Sequence, residues 1–163
     1  MIKVIKPQNE YEIKDFAIAY YEFLNRIANL DYKIKLKKKC ITIIIRQIKH
    51  WLSNKNIILL SAYESSKIPN DAQGILKSFI IKTLNGQRSR IYIDTFLVFN
   101  PTYCDEIVKT LIYELEKNVP DASSIKIVLL SSHFDEKILS SLKKSDFKEK
   151  RIEFEKKICE KNV

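Results

Sequence analysis

Few residues of this 163-residue chain have the type and spacing that chemistry asks for. Asp94 is the only acid in the strand-like run RIYIDTFLVF, which makes it the one candidate for a general base presented from a strand, against the plainer reading of a paired carboxylate. Cys104 opens a helical segment, a position that can activate a thiol, but Asp105 and Glu106 follow it directly and oppose a thiolate, so it reads as a small packing residue. His133 has no Ser or Cys partner at a diagnostic spacing, and His50, beside Trp51, reads as a surface or capping residue. Cys40, Cys104 and Cys159 are odd in number and free of CxxC or Cys/His spacing, so no metal is assigned.

Charge is the stronger signal. Between Tyr32 and Tyr63 the chain carries eight basic residues, among them Lys35, Lys38, Lys39, Arg46 and Lys49, and no acid. Residues 32–93 account for +11 of charge, while the segments on either side are each −1, giving +9 in total. A basic surface concentrated in one region points to an anionic partner, nucleic acid or an acidic protein. A lysine-rich face that is merely solvated is the competing reading.

The elements that must position these residues follow from periodicity. Lys3–Ile5 reads as a strand. After Pro7 a helix is expected from about Asn9, with Tyr11, Phe16, Ala19, Tyr20 and Phe23 inward. A second helix is expected from near Asp31, with Leu36, Cys40, Ile41, Ile44, Ile48, Trp51 and Leu52 on one face and Lys35, Lys38, Lys39, Thr42, Arg46 and Lys49 on the other. IILLSAY, ILKSFIIKTL and RIYIDTFLVF then form an antiparallel meander, the last two strands joined through Asn85-Gly86. A helix over Tyr103–Asn118, a buried parallel strand over Ile125–Leu130, a short helix over about Asp135–Lys144 and a last strand over about Phe147–Ile158 complete the chain.

Length and composition fit one domain, 1–163, with a full core. The absence of an 18-residue apolar run and of signal-peptide blocks leads us to expect a cytoplasmic protein without a membrane partner. Heavy use of isoleucine and lysine is what an AT-rich or heat-adapted, thermophile genome produces. With only Gly74 and Gly86, a glycine-rich phosphate loop cannot be built.

The order strand, two helices, meander, helix, strand, helix, strand resembles the GNAT N-acetyltransferase superfamily over nearly the whole chain. LVFNPTY at Leu97–Tyr103 is similar to the family's L-x-V-x-P-x-[YW], and in ILSSLKKSDF at Ile138–Phe147 Phe147 fits a second family pattern while most of the rest does not. The resemblance implies a single-domain α+β fold, with a central mixed sheet of about six to seven strands flanked by about four helices. It also implies an acetyl-CoA site at Phe99, Asn100, Cys104 and Lys109. In register with Pro101, however, Cys104 takes the family's Arg/Gln position, and Asp105, Ile107 and Lys109 take its three glycines. Leu142 falls where the family often has a tyrosine acid, and Asp135 near its usual asparagine.

Two functions are therefore carried forward. The first is a GNAT-fold binding module without standard acetyl-CoA chemistry or cofactor. It would use Lys35, Lys38, Lys39, Arg46 and Lys49, joined by Lys77, Lys82, Arg88 and Arg90 if the hairpin faces the same way. The alternative is a divergent N-acyltransferase using acetyl-CoA and Asp94 on an acidic or macromolecular amine acceptor.

Overall fold

Asn9 starts the first helix: its side chain accepts hydrogen bonds from the N–H groups of Tyr11 and Glu12, and the Glu12 carboxylate accepts from the Asn9 N–H. In the computed structural model, which describes residues 1–33, 35–66, 71–82, 88–127 and 136–148, helix α1 spans Glu10–Tyr32 and ends at Lys33 in the left-handed conformation. The expected second helix from Asp31 is thus corrected. Helix α2 spans Cys40–Ser53, because Leu36 is held in a non-helical link: its N–H donates to Asn25 Oδ1 at 2.9 Å, and its carbonyl accepts from the Tyr21 hydroxyl at 2.7 Å. Lys35, Lys38 and Lys39 consequently lie in the α1–α2 connection rather than on a helical stripe. Tyr11 is also corrected. It is 77% exposed, because it stands about 140° around the helix from the buried Phe16.

Five strands form one sheet in the order β1 (Ile2–Ile5), β2 (Ile57–Glu64), β3 (Gly74–Lys82), β4 (Ser89–Val98), β5 (Ala122–Ile127). Every pairing is antiparallel except β4 with β5, as the meander and crossover require. Pro101 ends β4 and opens a 3-10 turn, after which α3 runs over Cys104–Asn118; α4 covers Glu136–Lys144. Five strands among the described residues compare with six to seven expected. The proposed last strand falls outside them beyond Lys148, as do the Asn85-Gly86 turn, residues 128–130, His133, Asp135 and Cys159. β5, expected to be covered on both faces, is half-buried, with Ile125 and Ile127 packing toward α3.

The sheet separates two cores. Phe16, Tyr20, Ile44, Ile48, Trp51, Leu59, Tyr63 and Ile75 fill the space beneath α1 and α2; Leu76, Ile91, Ile93, Ile107, Leu111 and Leu115 fill the space beneath α3. Burial on this scale, at about 25 cal/mol per Å² of apolar surface, is the main stabilising term. Gly74 lets α3 approach closely: a Cβ there would stand 2.7 Å from Ile107 Cγ2 and 3.0 Å from the Leu97 carbonyl oxygen. Among the described residues no helix is long and apolar enough to cross a membrane.

Candidate functional site at the β4 bulge and the α3 N-terminus

The register of β3 and β4 slips at one point. Lys77 pairs with Thr95 and Ser78 with Ile93, so Asp94 is the extra residue of a β-bulge. Facing reverses across it. Ile91 and Ile93 before the bulge, and Phe96 and Val98 after it, all belong to the α3-side core, while Leu97 and Phe99 belong to the other. Asp94 and Thr95 are therefore both left on the α1–α2 face, where the Thr95 hydroxyl donates to Asp94 Oδ1 at 3.3 Å.

On that face Asp94 meets a cation supplied by the chain itself. Lys77 Nζ lies 2.7 Å from Asp94 Oδ2, and the Lys77 side chain is only 6% exposed against 37% for Asp94. The same ammonium stands 4.1 Å from the Trp51 ring centroid, 5.0 Å from Phe79 and 5.6 Å from Tyr20. Lys77 is therefore corrected from a surface anion-binding residue to a buried one. Alternation along β3 puts it between Ile75 and Phe79 on the inward face, and a buried ammonium requires a counter-ion. The three aromatics were not legible as a cage, since each reads as core; the signal available was a lysine at an inward strand position.

The second feature is a cavity of about 410 Å³ at the start of α3, lined by residues 101–106 with Lys137, Ser140 and Lys144 of α4. Cys104 is buried here, with the Ser141 hydroxyl 3.6 Å from its sulfur. Asp105 accepts from Lys144 Nζ at 2.6 Å and from Ser141 Oγ, and these donors hold its carboxyl below the usual 3.8. Glu106 Oε1 accepts from the Ile2 N–H at 2.8 Å. Asn100 caps the turn, accepting from the Thr102 N–H at 3.0 Å and donating to Gln73 Oε1 at 3.0 Å; the Phe99 N–H donates to the Gln73 carbonyl at 2.8 Å. Lys109 is exposed on α3 and does not line the cavity. In the register set by Pro101 side chains stand at each position where the family has glycine, and the Asp105 carboxylate is bridged to Lys144 of α4. Leu142 is buried in the α3-side core, where it can transfer no proton.

The predicted basic residues divide. Lys35, Lys38 and Lys39 are exposed in the connection before α2, Arg46 is exposed midway along that helix, and Lys49 near its end pairs with Glu10 at 3.2 Å. Lys82, Arg88 and Arg90 are exposed at the other end of α2, where the Ile80 N–H donates to Asn56 just after that helix. The 14 residues of α2 separate the connection lysines from the hairpin cations by about 21 Å of rise. Moreover, Lys82 and Arg90 point to opposite faces of the sheet, since Lys82 pairs with Ser89 and Arg90 with Ile81. The structure does not gather the hairpin cations with the α1–α2 connection.

A mixed five-stranded sheet in this order, flanked by four helices, matches the GNAT N-acetyltransferase fold. It aligns with an aminoglycoside acetyltransferase from an uncultured soil metagenomic sample (TM-score 0.64, 18% identity, 97% of each chain). It likewise aligns with a transcriptional regulator from Bacillus halodurans (TM-score 0.66, 14% identity, 97% of this chain and 100% of that one). A third alignment is with glucosamine-6-phosphate N-acetyltransferase from Arabidopsis thaliana (TM-score 0.63, 13% identity, 96% and 98%). The protein is a GNAT-fold protein; at these identities the likeness establishes the fold alone. No protein-family model and no curated protein matches the sequence.

Proposed function

We propose that this protein is a GNAT-fold binding module that engages a polyanion, nucleic acid first and an acidic protein surface second, without running standard acetyl-CoA chemistry. The observation that carries the reading is the α1–α2 connection. Lys35, Lys37, Lys38 and Lys39 are exposed immediately before an α2 N-terminus that has no capping side chain and no acid in its first turn. The positive end of the helix dipole and the lysines reinforce one another there, with Arg46 further along the exposed face. The same reading is supported by Asp94, already paired with an internal ammonium, and by the Asp105 carboxylate bridged to Lys144 at the entrance of α3.

The test is fluorescence anisotropy with labelled single-stranded and duplex DNA and RNA across salt. About five phosphate contacts give a log–log salt slope near −4.5, roughly a 500-fold loss of affinity from 50 to 200 mM. Replacing Lys35, Lys38 and Lys39 by alanine reduces that slope by about 3. Unchanged binding by the triple variant refutes the surface, and an acidic protein captured where nucleic acid is ignored selects the second partner.

A second reading, a divergent acetyl-CoA-dependent N-acyltransferase acting on an acidic or macromolecular amine, is favoured by the β4 bulge, which leaves Asp94 partly exposed on one face with Thr95. Calorimetric titration with acetyl-CoA at low salt separates the two. Saturable micromolar binding replaces the first reading with the second.

A further inference from the structure

Lysine at an inward position of a central strand is an anomaly that asks for a reason. Lys77 is flanked on its face of β3 by Ile75 and Phe79, where leucine or methionine would pack at lower cost than an ammonium. The surroundings nonetheless contain what an ammonium needs: one carboxylate at 2.7 Å, and three aromatic rings from three different elements, α1, α2 and β3, within 5.6 Å. Tyr20 and Trp51 are set edge-to-face at 5.4 Å, so the two rings brace each other as walls. Electron-rich faces closed by one acid are the chemistry that recognises an alkylammonium.

We infer that the chamber made by Tyr20, Trp51, Phe79 and Asp94 is a primary-ammonium site that the chain fills with its own Lys77. The ammonium is the occupant and the carboxylate is the gate. Asp94, at the bulge, keeps 37% of its side chain exposed while Lys77 sits behind it at 6%. An amine arriving from solvent therefore reaches a carboxylate whose partner is already in place, and the wild-type protein takes no second ammonium there. The inference stands apart from the polyanion surface, since it concerns the buried side of α2 rather than its exposed one.

Truncating Lys77 to alanine removes the three outer methylenes and the amine, a volume that n-propylammonium replaces atom for atom. The expected result for Lys77→Ala is saturable n-propylammonium binding, with a dissociation constant on the order of 1 mM and a rise in melting temperature of roughly 5 °C at 20 mM ligand. n-Propanol produces no such rise. Asp94→Asn added to Lys77→Ala weakens the amine at least about tenfold, the loss expected when a charged partner is removed. Wild type and Lys77→Met, whose chambers are full, show no response. Should Lys77→Ala be unfolded alone, circular dichroism with and without the amine gives the answer: recovery of the folded signal with n-propylammonium but not n-propanol supports the site. Equal effects of amine and alcohol, an equal shift in wild type, or no effect of the amine on either folding or melting overturns it.

Discussion

Replacing Asp94 by asparagine and Lys77 by methionine, singly and together, tests how the bulge and the chamber are energetically joined. The pair is asymmetric: the ammonium end is almost wholly buried, whereas the carboxylate end is about one-third wet. Asp94→Asn strands a buried cation whose remaining support is three ring faces, each contributing about 0.5–2 kcal/mol. Removing one partner of a buried pair costs about 3–5 kcal/mol, and the partial exposure of Asp94 puts the expectation at the lower end, about 3 kcal/mol. Lys77→Met instead leaves a carboxylate that water can reach and puts an uncharged chain of similar length against Trp51, at a cost of about 1 kcal/mol. With neither charge present, the double variant also loses about 1 kcal/mol, so the coupling within the cycle is about 3 kcal/mol. Urea denaturation followed by circular dichroism reads all four proteins. In a chain of this size the losses correspond to roughly 6–12 °C for Asp94→Asn and 2–4 °C for Lys77→Met. A Lys77→Met loss equal to that of Asp94→Asn, or additive effects in the double variant, refutes the asymmetry on which the reasoning stands.

The remaining expectations concern other parts of the molecule. Gly74→Ala drives a methyl into Ile107 and the Leu97 carbonyl and lowers stability by about 1–3 kcal/mol, measurable as a shifted urea midpoint with an unchanged slope. Asp15 is held above its ordinary 3.8, mainly by burial and in smaller part by the Asp71 charge; the buried Tyr63 hydroxyl and the backbone at Asp71 and Ala72 oppose the shift. Asp15 Oδ2 and the Tyr63 hydroxyl are near enough to influence each other, yet neither has a well-formed hydrogen bond. The folded state thus keeps a proton that the unfolded chain has released, so this group's effect is absent below 3.8 and lowers stability as pH rises through the folded value. Asp15→Asn should therefore gain on wild type as pH rises from about 4, and parallel stability curves would contradict this. At the α3 entrance, Lys144→Met removes the leading cause of the depressed Asp105 carboxyl, and an NMR titration of that carboxyl should move upward toward 3.8.

Secondary structure was largely legible because its causes are local. Asn9 and Glu12 announce the start of α1, the apolar and β-branched runs of β2 to β4 give the meander, and Pro101 follows β4 where the chain turns into α3. The boundary between α1 and α2 was not legible. Leu36 leaves the helix because Asn25 and Tyr21, at least eleven residues away, take its backbone groups, and no window of periodicity contains that competition. Lys77 shows the same division within the site. Its charge and its inward parity are sequence facts, but whether parity or charge prevails depends on a bulge one strand away and on rings from two helices. By itself, then, the sequence determined a basic segment, a glycine count too small for a glycine-rich phosphate loop, and an order of elements matching one fold. Only tertiary structure decided which lysine is solvent's and which is the core's, because burial, counter-ion and aromatic faces are supplied by residues that meet only when the sheet and helices pack.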